Sequence, residues 1–570
     1  MDSDSESSRV LDVSGSEVTL ALTPDRAQVF VPDDLRRQLE ALGADERIEV
    51  MVVLKSKSQG YEKAGTSGRA TLFEDRPSEV TLEGSRVDLE TFKRRRLEER
   101  AALEVEALTQ GAPEIGRTPG RSGEYADPDL QILRLTRPEI LDLLAEQSGE
   151  VLGIEPVRPT ESDMDTAVVE SGVDPWAFFP WRSQGEGTRV YMVERDGCID
   201  EDTHYISNYL DVRGSSSDLT FSEHAIKTTG VFHAVSPKAF IHCAGGGFSL
   251  PQPAIILPFW PPIILPSPNP PSSYDAVSVS MSQGLFGNYG PWDRTWDDFV
   301  YNHDVPIFQA AGNKGNTDQF VSSPGTAYNV ITVGNYAHKT GTDAIYFNSG
   351  WKDGETGIEK PEIVAPGTDL DIRGISPPTF FGRNGTSYST PHAAGFYLNF
   401  IGDEPWFSGS AALAKAYMVS HASIPVAGGA DKVGEGGIFY RKAGGNIYWW
   451  NEPNSAWNSL KNDGNYLTLP VAVNWSRDKA TVAIAWLTRG SYTYQHKDDV
   501  HPLGMDFDMR VIDASGNYVC GSASWDNTYE SCTWTLPDVA TSYRVRVNRK
   551  ANRDTASRIK LAIVSHSFND

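Results

Sequence analysis

At 570 residues the chain is too long for one hydrophobic core, and 39% apolar content with 14 Trp marks folded, globular material. Its 51 Lys and Arg against 76 Asp and Glu leave a net charge of −25, which excludes an ordinary nucleic-acid binder, because phosphate recognition needs clustered cations. No run reaches the ~18 apolar residues of a spanning helix, and the opening MDSDSESSRV lacks the basic and apolar regions of a Sec signal. A soluble protein, cytoplasmic at synthesis, is therefore expected, with export by another route left open.

Residues 1–35 read as weakly ordered. A small α+β unit is expected over 36–158: IEVMVVLK from 48 is a strand, 87–109 has a helical pattern, and LQILRL (130–135) is a second strand. The KRRR cluster at 93–96 lies among acids and reads as a solvated helix face. Thr136 with Glu139 three residues on is a capping box, with Pro138 in the first turn, and EVLGIEP (150–156) closes the unit as a strand. The acidic stretch within 159–184 reads as a linker.

From 185 to 440, apolar runs such as RVYMVE, KAFIHC, YDAVSVSMS, VPIFQAA and NVITVGNYA alternate with helical segments, the pattern of a parallel sheet covered on both faces. The prolines of PAIILPFWPPIILP forbid a helix there and make 249–271 a stiff insertion that is a cover for the site, a partner surface or a packing element. Over 441–570 the period changes to two, in ATVAIAWL, DFDMRVID and SYRVRVN, which predicts a β-sandwich. Four cysteines are too few for a disulfide scaffold, but Cys520 and Cys532 are spaced for a local bridge.

The stretch NGTSYSTPHAAG (384–395) puts Ser387 at the mouth of a helix with Pro391 in its first turn. Such an end offers unpaired N–H groups and partial positive charge, which suit an oxyanion. The same stretch also fits a plain helix cap supplied by Ser387, Ser389 or Thr390.

Other segments decide between these. Gly385, Thr386, Ser387, Ser389, Pro391 and His392 resemble the nucleophile motif of the subtilisin-like serine proteases, the subtilases. His224 and Gly230, in HAIKTTGVFHAVSP, resemble that family's histidine motif, with Ala225 and Lys227 as departures. Asn313, in FQAAGNKGN, resembles its oxyanion asparagine. VSVSMSQG resembles the strand that lines the substrate cleft, and KPEIVAPG resembles the segment before the serine loop. The resemblance spans about 185–420.

The resemblance implies a subtilisin-like parallel α/β domain, a ferredoxin-like propeptide before it and a jelly-roll-like all-β sandwich after it. It implies a serine endopeptidase with a protein or peptide substrate. Ser387 is then the nucleophile, His224 the general base, and Asn313 the oxyanion donor. Ser282, Gln283 and Gly284 would pair with an extended substrate, with Ala311 opposite. The acidic member departs from the family pattern. Ungapped alignment from Gly185 places Glu194 where Asp is usual, and Asp196 is the alternative. Period two puts Val190, Met192 and Glu194 on one strand face, which favours Glu194.

The propeptide would act as an intramolecular inhibitor, removed by self-cleavage between about Pro156 and Trp176. Asp506, Asp508, Asp526 and Glu530 resemble signatures of the appended sandwich domains, and calcium is a candidate there, though hairpin acids are the plainer reading. No cofactor is required for the chemistry. Two competitors remain: an inactive relative that binds peptides in the same cleft, and a sedolisin-like acid protease. An α/β-hydrolase is disfavoured, because no Gly-x-Ser-x-Gly stands after a strand.

Overall fold

The computed structural model describes residues 9–11, 17–19, 39, 43, 47–54, 68–72, 79–82, 85–88, 130–145, 151–156, 167, 170–171, 183–194, 210–213, 223–244, 274–280, 289–316, 321–338, 343–351, 359–372, 380–404, 407, 409–440 and 445–569.

At the N-terminus β1 (Arg9–Leu11) pairs antiparallel with β2 (Glu17–Thr19), within the region expected to be weakly ordered. The strand β3 (Arg47–Leu54) is the centre of a three-stranded antiparallel sheet. Between β3 and the next strand of that sheet come β4 (Gly68–Leu72), β5 (Glu79–Leu82) and β6 (Ser85–Asp88). Then follow β7 (Leu130–Thr136), α1 (Arg137–Ala145) and β8 (Val151–Pro156), and the sheet order is β7-β3-β8. The capping box forms: Thr136 N–H donates to Glu139 Oε2 at 2.7 Å, and Glu139 N–H donates to Thr136 Oγ1 at 3.5 Å.

Two expectations need correcting here. Residues 87 and 88 belong to β6 rather than to the start of a helix, and 89–109 lie outside the described residues. The physical reason is a hairpin pattern: two alternating runs flank Glu83-Gly84, and the register pairs Leu82 directly with Ser85. This β4–β6 meander does not join the β3 sheet. It pairs with a strand of the C-terminal region.

The stretch 159–184 is also more than a linker at its described positions. Ala167 and Ser171 are fully buried. Ser171 N–H donates to Ala167 O at 3.2 Å, Tyr440 N–H donates to Ser171 O at 2.7 Å, and Lys238 N–H donates to Gln184 O at 2.9 Å. Net acidity hid two small residues placed four apart, which is one helical turn.

The central sheet holds β9 (Arg189–Val193), β10 (Leu210–Arg213), β11 (Phe240–Ala244), β12 (Ala276–Val279), β13 (Ile307–Ala310), β14 (Ile331–Ala337), β15 (Ala344–Ile345) and β16 (Ile363–Pro366). Its order is β10-β11-β9-β12-β13-β14, with β15 and β16 both pairing with β14. All described pairings are parallel except β14–β15. The helices are α2 (Glu223–Val235), α3 (Pro291–His303), α4 (Thr386–Asp403) and α5 (Ala411–Ser420), and a short antiparallel pair, β17 (Leu370–Ile372) and β18 (Phe380–Arg383), precedes α4. Small residues let α4 lie deep in this unit. A Cβ on Gly395 would sit 3.0 Å from Val235, so α4 and α2 touch nearly backbone to backbone. Asn399 Nδ2 donates to Val235 O at 2.8 Å and fixes the crossing.

The C-terminal region contains β19 (Gly445–Glu452), β20 (Leu467–Val471), β21 (Lys479–Trp486), α6 (Gly490–Gln495), β22 (Met505–Asp513), β23 (Tyr518–Ser522), β24 (Tyr529–Thr535), β25 (Tyr543–Asn552) and β26 (Ile559–Phe568). One sheet runs β24-β21-β26-β19-β4-β5-β6, the other β20-β25-β22-β23, and both contribute to a shared apolar core around Trp486, Phe507 and Val545. The strand β4 extends the first sheet at β19, pairing Gly68 with Trp449 and Leu72 with Gly445. A disulfide joins Cys520 to Cys532. It links β23 to β24, which lie in different sheets, so it ties the two layers rather than spanning one hairpin.

The central unit and the sandwich are not separate beads. Ile447, Trp449, Ala485 and Val564 belong to the same apolar core as Val190, Phe308 and Leu398.

Candidate active site

The chain leaves β9 for β10 and β11 on one side of it, then returns to place β12, β13 and β14 on the other. That makes the C-terminal ends of β9 and β12 a topological switch point, where open α/β sheets form their crevice. Glu194 is the residue after β9, and Ser280 N–H, directly after β12, donates to Val193 O at 3.4 Å.

Glu194 is buried, and both of its oxygens are engaged. Oε2 lies 2.7 Å from His224 Nδ1. Oε1 accepts from Thr228 Oγ1 at 2.5 Å. His224 is the second residue of α2, and Thr228 is one turn further on the same helix face. The His224 side chain keeps 39% of its surface exposed while Glu194 keeps 1%. A buried carboxylate on Nδ1 fixes that nitrogen as the one bearing hydrogen, which leaves Nε2 as the basic atom of the neutral ring. Thr228 was not singled out from the sequence; its spacing of four from His224 was the available signal.

Ser387 is half-buried in the first turn of α4, and the rings of the adjacent Tyr388 and of His224 have centroids 6.1 Å apart. The packing of α2 against α4 brings these two helix starts together. Asn313 follows β13. Its Oδ1 accepts from Thr386 N–H at 2.9 Å and from Thr386 Oγ1 at 3.1 Å. Thr386 Oγ1 in turn lies 3.1 Å from Gly312 N–H. A Cβ at Gly385 would lie 3.5 Å from Asn313 Nδ2, 3.7 Å from its Oδ1 and 3.8 Å from Ser387 N, so the Asn313 amide sits beside the Gly385–Ser387 backbone. Gly312 takes φ +95°, a conformation that favours glycine.

Ala311 is buried beside this loop. Ser282, Gln283, Gly284, Asp196 and the insertion 249–271 lie outside the described residues. His392 belongs to the same helix as Ser387 but is fully buried, with Nε2 2.7 Å from Ser171 Oγ. Burial, with a smaller contribution from His338, pushes its pKa down to about 3. It is a neutral structural histidine.

The four carboxylates weighed for calcium are close enough for their charges to interact: Asp508 and Asp526 act on Asp506, and Asp508 and Asp506 act on Glu530. Among the described residues no group of three or more His, Cys, Asp or Glu is placed to hold a metal ion. Glu530 accepts from Ser522 Oγ and from Ser524 N–H, and Asp526 accepts from Ser524 Oγ. Burial pushes Glu530 up to about 8, and burial with the neighbouring Asp508 pushes Asp506 up to about 6.

Residues 271–446 match the subtilase family of peptidases. Serine protease AprX of Bacillus subtilis (strain 168) is 28% identical over 162 residues, covering 24% of this chain and 36% of the relative. The chain thus spans about a third of the length of that curated relative. Among solved structures, sphericase is 17% identical with a TM-score of 0.37, covering 50% of this chain and 100% of its own. The prenylagaramide maturation protease PagA is 16% identical with a TM-score of 0.34, covering 45% of this chain and 92% of its own. Residues 271–446 are thus similar to subtilase-family domains, and the central sheet to which they contribute is a mostly parallel α/β sheet. No helix among the described residues is long and apolar enough to cross a membrane.

Proposed function

We propose that the chain is a serine endopeptidase in which Ser387, His224 and Glu194 form the catalytic relay and Asn313 supplies the oxyanion donor. The observation that carries this reading is the His224 Nδ1–Glu194 Oε2 contact of 2.7 Å on a ring that stays 39% exposed. Ser387 Oγ attacks the scissile carbonyl as His224 Nε2 takes its proton; His224 then returns that proton to the leaving amine. Glu194 holds the tautomer and offsets the imidazolium charge. Its extra methylene relative to Asp is accommodated by the Thr228 hydroxyl, which holds the second oxygen and so fixes the carboxylate plane. Asn313 Nδ2 and the Ser387 N–H stabilise the oxyanion, a contribution of ~3 kcal/mol per donor. A His–carboxylate pair of this kind favours a neutral-range protease over an acid protease that has Glu in place of His.

In the same reading the unit built on β3, β7, α1 and β8 is a propeptide that the enzyme removes from itself and that occupies the cleft until then. The cut falls after Pro156, the last residue of β8, and before Ala167, the first of the described residues buried in the central core. The Cys520–Cys532 disulfide fits maturation outside a reducing cytosol. Purified protein should be labelled at Ser387 by a fluorophosphonate and should release an N-terminal fragment of about 17 kDa (~110 Da per residue over ~156 residues, on the size scale of a single domain). Ser387→Ala should abolish both, lowering peptide turnover by ~10⁶. A wild-type protein cut by an added protease between Pro156 and Ala167, with β4 still paired to β19, that is neither labelled nor active contradicts the proposal and indicates a peptide-binding relative.

A further inference from the structure

The segment 321–330 (VSSPGTAYNV) lies directly against the candidate oxyanion loop. Ser322 N–H donates to Ala311 O at 3.3 Å, and a Cβ on Gly312 would sit 2.8 Å from Ser322 Oγ. The segment therefore walls the Ala311–Gly312 side of that loop.

An unusual set of buried polar groups holds it. Asp293 of α3 accepts from Ser323 Oγ at 2.7 Å and from Thr326 Oγ1 at 2.6 Å. Asp297, one turn later, accepts from Tyr328 N–H at 3.1 Å and Asn329 N–H at 2.6 Å. Lys415 of α5 donates to Tyr328 O at 2.6 Å, and Lys360 donates to Ala327 O at 2.7 Å. Glu362 Oε1 accepts from both lysines, at 2.5 Å from Lys360 and 2.7 Å from Lys415.

Two of the anchors come from the C-terminal sandwich. Asn329 Nδ2 donates to Thr488 O at 2.7 Å, and Thr488 N–H donates back to Asn329 Oδ1 at 2.9 Å. Thr528, just before β24, donates its hydroxyl to Tyr328 O at 2.6 Å. Asn329 and Thr528 are both buried. The backbone at Gly490 approaches α3 so closely that a Cβ there would lie 2.2 Å from Arg294 O. The sandwich therefore grips Tyr328 and Asn329 at one end of the segment whose other end, at Ser322, lies against Ala311 and Gly312.

We propose that the C-terminal sandwich is a working part of the peptide-binding site: through Asn329 with Thr488, and Thr528 with Tyr328, it sets the position of the 321–330 segment and so the fit of the substrate residue preceding the cut. Asn329 and Thr528 are positioning residues, not catalytic ones. This rests on the protease reading above. It goes beyond that reading because it assigns recognition to a region outside the subtilase match.

The test uses full-length, self-processed enzyme with Thr528→Val, which keeps the shape and loses the donor, and Thr528→Ser, which restores it. Peptide kcat/KM and the profile of preferred residues before the cut are read beside the rate of labelling by a small fluorophosphonate. Thr528→Val should lower peptide kcat/KM about tenfold and broaden the profile. Labelling per folded molecule should stay within about twofold of wild type, and Thr528→Ser should recover the wild-type profile. Asn329→Ala provides the same reading if Thr528→Val fails to fold. Overturning results are an unchanged profile and kcat/KM in these variants, or a loss of peptide turnover and labelling in equal proportion. Absence of labelling in the wild type would instead sink the protease reading itself.

Discussion

Two clusters of charged side chains sit in the middle of this chain, and they differ in what they leave open. At the switch point, Glu194 is sealed and fully bonded, but the His224 ring it holds faces solvent on one side. Behind it, Glu362 with Lys360 and Lys415 is sealed throughout, and the lysines reach main-chain carbonyls of the 327–330 segment. A charge that spends all its bonding capacity inside the protein can only position. A charge arrayed behind an exposed base can act on something that arrives.

Breaking the sealed cluster should give the largest effect on stability. Glu362→Gln leaves two buried ammonium groups without their shared carboxylate, and losing one partner of such a group typically costs ~3–5 kcal/mol. A chemical-denaturation curve should show that loss, while fluorophosphonate labelling per folded molecule changes little. A mutant as stable as wild type would mean the cluster is not the structural tie described here.

A smaller effect comes from two buried groups whose pH dependences run in opposite directions. His392 is held neutral, with its pKa down at about 3 against an ordinary 6.5. The unfolded chain binds that proton first, so the central unit loses stability as pH falls from 6.5 towards 3. Glu530 has its pKa raised to about 8 from 4.5. The folded state then holds the proton longer, so the sandwich loses stability as pH rises from 4.5 towards 8. In melting followed across this range, His392→Gln should reduce the loss of stability on the acid side and Glu530→Gln the loss on the alkaline side.

Much of this was legible in the sequence, and the reasons are physical. Period-two and buried runs marked β9, β12, β13 and β14, and the capping box marked α1, because those signals are local. The strand face shared by Val190, Met192 and Glu194 pointed to the carboxylate that the structure brings to His224. Thr228 was harder to see, because a threonine on a helix face carries no chemistry until its neighbour is known. The β4–β6 meander and the burial of Ala167 and Ser171 were missed outright. The β5–β6 hairpin carried a local signal in its alternating runs, but the pairing of β4 with β19 and the burial of Ala167 and Ser171 depend on partners hundreds of residues away, which neither composition nor period records.

The central claim is that Glu194 is the carboxylate behind the base. The most direct measurement is the second-order rate of fluorophosphonate labelling of Ser387 in processed wild type, Glu194→Gln and Asp196→Asn. The account predicts a fall of ~10²–10⁴ for Glu194→Gln and a rate near wild type for Asp196→Asn. A large fall in Asp196→Asn with Glu194→Gln near wild type would contradict it.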